Sequence, residues 1–196
     1  MLLKIYCFGD SHAWFFKDLK DCVSIPIGPR LAYNLENLAV YEILHLLKEH
    51  LEIEKPDKYY VLLTFGEIDI RAHLLKNNDL DDCIKRYMNA ILMIKNRTTN
   101  IIVFGPIAST RRLEDMQDSE FPVLGSCLER NKVAKEFNER LSLECIKNSI
   151  KYFSIISHLI DENGLTIEKY YLTDRIHLSK SAIDLVQPIL STLTTE

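Results

Sequence analysis

The chain has 196 residues, 47% of them hydrophobic and 27% charged, with a net charge of −4 at neutral pH. That is enough polypeptide for one domain over residues 1–196, burying roughly two-thirds of its unfolded surface, and the composition excludes a chain that stays disordered. The acidic balance offers no basic footprint to a nucleic-acid backbone or an anionic membrane, and no run approaches the ~20 apolar residues of a membrane helix.

The opening run from Met1 to Phe8 is too short for the core of a signal peptide and no small-residue cleavage site follows it. Five cysteines (Cys7, Cys22, Cys83, Cys127 and Cys145) are widely spaced and form no Cys-x-x-Cys pair. They read as buried free thiols of a cytoplasmic protein.

In chain order, residues 2–8 form a first buried strand and 23–27 a second. Asn34 then caps a helix with Leu35, Leu38, Ala39, Ile43, Leu44, Leu47 and Leu51 on one stripe. Residues 59–65 make a third strand, 79–95 a helix and 101–104 a fourth strand. The stretch 106–125, with Arg111 and Arg112, reads as a long polar loop of the kind that borders a site. Ser126 and Glu129 have the spacing of a capping box and open a long helix. Residues 152–156 give a fifth strand, and Ser179 caps a last helix that Pro188 bends or ends. Strands alternating with helices specify an α/β fold on a parallel sheet of about five strands.

Ligands of such sheets gather at the carboxyl ends of the strands. The residues placed there are Gly9-Asp10-Ser11-His12, Gly28-Pro29-Arg30 and Gly66-Glu67-Ile68-Asp69-Ile70-Arg71, with Asp174-Arg175-Ile176-His177 ahead of the last helix. A serine hydroxyl becomes a nucleophile only beside a base, and that base needs a third group to fix its tautomer. Ser11, His177 and Asp174 supply these three parts. The backbone N–H of Ser11, at a strand end, can face a developing oxyanion.

Gly9-Asp10-Ser11 near one end and Asp174-x-x-His177 near the other resemble the SGNH hydrolases, the GDSL esterase and lipase superfamily, over nearly the whole chain. The resemblance implies a three-layer α/β/α sandwich, with Ser11, Asp174 and His177 as catalytic residues and Gly28 as an oxyanion donor. The superfamily's third block, Gly-x-Asn-Asp, is matched by Gly66, Glu67, Ile68 and Asp69, so isoleucine stands where an amide donor is expected. Arg71, two residues past Asp69 and on its face if the run is extended, is the candidate replacement, ahead of His12 and Arg30. Asp10, Glu67 and Asp69 are expected to support the site, with Asp69 anchoring the Gly9–His12 loop. Together these blocks resemble a branch associated with bacterial surface polysaccharides. They imply an esterase acting on a small-molecule or glycan ester, most plainly a carbohydrate O-acetyl group.

Transfer to a sugar hydroxyl instead of water would make the same apparatus an O-acyltransferase, and loss of turnover would leave a carbohydrate-binding scaffold. Asp10-x-His12 has the form of a metal-binding pair, but the further ligands of a metal phosphoesterase are missing. No metal and no cofactor is therefore expected, and the oligomeric state is left open.

Overall fold

Apolar runs too hydrophobic to leave either face in water pair as one all-parallel sheet. The computed structural model describes residues 3–50, 59–77, 79–98, 100–111 and 120–195. Its strands are β1 (Lys4–Gly9), β2 (Cys22–Pro26), β3 (Tyr59–Thr64), β4 (Ile101–Phe104) and β5 (Lys151–Phe153), in the order β2-β1-β3-β4-β5. All six β3 residues are buried, as are the four of β4. The main helices are α1 (Val40–His50), α2 (Leu80–Lys95), α3 (Cys127–Lys147) and α4 (Ile183–Thr194). Helix α2 packs against both α1 and α3. Helix α4 is tied to the sheet through Lys151, whose ammonium donates to the Leu193 carbonyl at 2.6 Å. The result is the three-layer α/β/α arrangement expected of the sequence.

The capping box holds: Ser126 Oγ accepts from the Glu129 N–H and Glu129 Oε2 from the Ser126 N–H. Several boundaries differ. The helix expected from Asn34 is broken into a 3-10 turn (Ala32–Asn34), a single turn (Leu35–Leu38) and α1, and the Asn34 side chain caps nothing. The fifth strand stops at Phe153, and Ile156 opens a short helix (Ile156–Leu159), an apolar run being compatible with either element. Ser179 precedes a 3-10 turn (Lys180–Ala182), but its hydroxyl bonds Ser181 and the Lys169 carbonyl. Pro188 lies inside α4 without ending it, between Val186 and Leu190, whose complete burial holds the helix through the missing N–H. Of the stretch read as a polar loop, Ile107, Ala108, Ser109 and Thr110 are buried. Leu2, Leu51 and Arg112 lie outside the described residues. All five cysteines are free thiols, four of them buried. Among the described residues no helix is long and apolar enough to cross a membrane.

Candidate active site

The strand order reverses direction at β1, which lies between β2 and β3, and such switch points open a crevice at the sheet's carboxyl edge. Gly9 is in register with Pro26 on one side and Thr64 on the other, so three of the polar segments leave the sheet side by side. A Cβ on Gly9 would stand 2.4 Å from Thr64 Cγ2 and 2.5 Å from the Thr64 carbonyl oxygen, which is why glycine ends this strand. Asp10 then turns the chain: its Oδ1 accepts the His12 N–H at 2.8 Å and starts a 3-10 helix (Ser11–Asp18). Ser11 is the first residue of that helix and is exposed. Helix starts leave N–H groups without an intrahelical acceptor, and the Ser11 N–H is one of them.

The fourth segment arrives from the far end of the sequence. Asp174 Oδ1 accepts the N–H groups of Ile176 (2.9 Å) and His177 (3.0 Å), closing a tight turn in which Arg175 adopts a left-handed φ of 71°. The spacing of three lets Asp174 Oδ2 reach His177 Nδ1 at 2.7 Å, while His177 Nε2 stands 2.7 Å from Ser11 Oγ. Partial burial pushes the Asp174 carboxyl up, but the hydrogen bonds from His177 and Ile176 outweigh it and hold the group below the ordinary range. An ionised carboxylate can only accept, so Nδ1 carries the imidazole proton and Nε2 is left to accept from the Ser11 hydroxyl. Sequence positions 11, 174 and 177 thus form one continuous hydrogen-bonded chain.

Behind Ser11 lies a cluster of buried charges. His12 Nε2 is 3.5 Å from Glu67 Oε2, and Glu67 Oε1 is 3.2 Å from Arg71 Nε. The segment after Gly66 is helical, contrary to the extended run expected: Glu67–Asp69 forms a helical turn and Ile70–Leu74 a π-helical one. On a helix the residue that shares a face with Arg71 is Glu67, four back, and not Asp69. Arg71 Nη1 also donates to the Phe121 carbonyl at 2.7 Å. Its guanidinium is therefore built into the interior, against Glu67 and the Phe121 carbonyl. Burial is the main influence on Asp10, His12 and Glu67. It pushes Asp10 up to about 6, against the pull of His12. It pushes His12 down, but Asp10 and Glu67 win and raise it. It pushes Glu67 up, but His12 and Arg71 bring it below the ordinary range. The His12 ring lies 5.0 Å from that of His177, centroid to centroid.

Asp69 is buried and accepts the N–H groups of Ala32 (2.7 Å) and Tyr33 (3.0 Å), so it anchors the loop after Gly28 rather than Gly9–His12. Burial, opposed by those two bonds, leaves its carboxyl raised. Gly28 has a φ of 82°, the conformation that favours glycine. Arg30 turns away to Glu42 at 3.2 Å, and Ile68 is buried and has nothing to donate. Two residues escaped the sequence reading. Thr110 Oγ1 donates to the Arg175 carbonyl at 2.7 Å, and the buried Tyr171 hydroxyl to the Ala108 carbonyl at 2.5 Å. Both tie the Asp174–His177 region to the segment leaving β4. Their only sequence signal was their place near a strand end and a motif.

A cavity of about 390 Å³ opens beside His177, lined by Trp14, Phe15, Lys17, Asp18, Leu172, Leu178 and Lys180. A larger one, about 500 Å³, lies between α2 and α3 and includes none of the expected site residues. Among the described residues no cluster of histidine, cysteine or carboxylate side chains could hold a metal.

No protein-family model and no curated protein matches the chain. Solved structures do. The chain is similar to an aryl esterase of M. smegmatis (TM-score 0.64, 14% identity, covering 97% of this chain and 99% of that one). It is similar to a GDSL-like lipase from Bacteroides thetaiotaomicron (0.62, 14%, 96% and 86%). A point mutant of an acetyl-xylooligosaccharide esterase from Geobacillus also aligns (0.57, 12%, 99% and 95%). At these identities the likeness establishes the fold.

Proposed function

We propose that this chain, which has the fold of those lipolytic and esterase structures, is a serine ester hydrolase working through an acyl-enzyme on Ser11. The observation that carries the reading is the Ser11–His177–Asp174 chain, with both contacts at 2.7 Å. Ser11 Oγ attacks the ester carbonyl carbon as its proton passes to His177 Nε2. Asp174 stabilises the imidazolium through Nδ1–H. Collapse of the tetrahedral intermediate breaks the bond to the alcohol oxygen, which takes the proton from Nε2. Water then repeats the sequence in reverse and releases the acid.

The intermediate's oxyanion needs donors aimed at it in advance. The Ser11 and Gly28 N–H groups serve, while Ile68 supplies none. Arg71 acts through Glu67 and His12, as the counter-ion that keeps a charged cluster buried behind the nucleophile.

For the substrate we favour a carbohydrate O-acetyl ester. The acetyl-xylooligosaccharide esterase among the similar folds supports this, as does the exposure of Ser11 at the surface. A panel of p-nitrophenyl esters of increasing acyl length, run beside acetylated sugars with the wild type and Ser11→Ala, tests both parts. Acetate release that vanishes in Ser11→Ala is expected. Release that persists in Ser11→Ala sinks the mechanism, and a preference for long acyl chains sinks the acetyl assignment.

A further inference from the structure

Resting on that reading, we infer that the groove between Trp14 and Leu172 is the alcohol subsite, and that it takes a sugar ring stacked on the Trp14 indole. The direction of proton flow fixes which side of the site this is. The base that receives the Ser11 proton must hand it to the leaving oxygen, so the alcohol has to lie against His177 Nε2. The groove of about 390 Å³ is lined by His177 itself and falls within the range of small-ligand sites.

Its lining includes two exposed, largely apolar rims, Trp14 at 53% and Leu172 at 49% exposure. Trp14 is carried by the same 3-10 helix that begins at Ser11, and Leu172 lies two residues before Asp174. Both apolar rims are thus fixed to the segments that carry the nucleophile and the base. The Leu172 N–H donates to the His177 carbonyl at 2.8 Å, which joins that rim to the base directly. Lys17 Nζ stands 5.4 Å from the centre of the Trp14 ring and helps to orient it. Lys180 pairs with Asp18 at 3.5 Å at the groove's edge. An apolar aromatic platform edged by charged donors and acceptors suits a sugar ring. Its C–H face packs on the indole while its hydroxyls reach the polar edge.

Trp14 is the chain's one tryptophan, so its fluorescence reports on the groove without turnover. Ser11→Ala protein is titrated with a methyl pyranoside acetylated on the ring, and with ethyl acetate. A saturable change in emission with the glycoside and none with ethyl acetate is expected. No change with either overturns the subsite, whether or not the wild type is an esterase.

With wild-type turnover in hand, Trp14→Ala should lower the ratio of kcat/KM for the acetylated pyranoside over ethyl acetate about tenfold, chiefly through KM. Trp14→Phe should restore most of it, and Leu172→Ser should lower the ratio as well. An unmoved ratio, or a change in acyl-length preference instead, assigns the groove otherwise and leaves the Ser11 mechanism standing. Absence of Ser11-dependent turnover in the wild type removes the esterase reading, while the fluorescence titration still decides the groove.

Discussion

The proposed nucleophile and its proposed base come from two differently built regions. Ser11 stands on a segment rooted in the core: Gly9 closes a strand between two others, and Asp10, His12, Glu67 and Arg71 behind it are all buried. His177 stands on a partly exposed turn held by local hydrogen bonds to Asp174 and a few tethers, such as Thr110 to the Arg175 carbonyl. On the first side position is secured by packing and ion pairs, so disturbance should appear as lost stability. On the second it is secured by hydrogen bonds near the surface, so disturbance should appear as lost activity.

Single substitutions test that contrast. His177→Ala should lower kcat by at least about 10³-fold while leaving the thermal midpoint nearly unchanged. A comparable loss of stability would place the turn in the structural half. Glu67→Ala should do the opposite, leaving the His12 and Arg71 charges buried without their shared partner at a cost of about 3 to 5 kcal/mol, read from the denaturant midpoint. A wild-type midpoint would mean that the cluster does not hold Ser11's support. Arg71→Ala belongs with Glu67→Ala: stability should fall before kcat does, whereas an intact midpoint with a lowered kcat would restore Arg71 as an oxyanion donor.

A smaller effect is expected from pH. Asp10 titrates near 6 in the folded protein, above its value of about 4 in the unfolded chain. The folded state therefore favours the protonated acid, and this contribution is complete below pH ~4 and lost as pH rises through 6. Asp10→Asn should remove a decline on the order of 1 to 3 kcal/mol across that window, seen as a flatter plot of melting temperature against pH. An unchanged slope would contradict the burial argument. The smallest effect is expected of Thr110→Val, which removes one hydrogen bond worth about 1 kcal/mol and should lower kcat about threefold to tenfold with KM held. A change confined to KM would show that the tether does not position His177.

The sheet was legible because five apolar runs bounded by glycine and charge leave few alternatives to buried parallel strands. The pairing of Ser11 with His177 and Asp174 was legible because three residue types with complementary chemistry fell at strand and helix ends. What sequence patterning could not resolve was whether the run after Gly66 is extended or helical. Ile68 and Ile70 are two apart, as in a strand, yet the segment coils so that Glu67 meets Arg71. That one choice moved Arg71 from the site to the interior and sent Asp69 to the Ala32 and Tyr33 N–H groups. Thr110 and Tyr171 were invisible for a related reason, since their partners are carbonyls 65 and 63 residues away in sequence. Pro188 shows the converse: a strong local breaker was overruled by the burial of Val186 and Leu190 on either side of it.

The proposed mechanism requires Ser11 to be an activated nucleophile, which intact-protein mass spectrometry after treatment with a fluorophosphonate reads out. A single phosphonyl adduct on Ser11 is expected, absent from Ser11→Ala and strongly slowed in His177→Ala. A wild-type protein that stays unlabelled, or an adduct that forms equally well in Ser11→Ala, would contradict it.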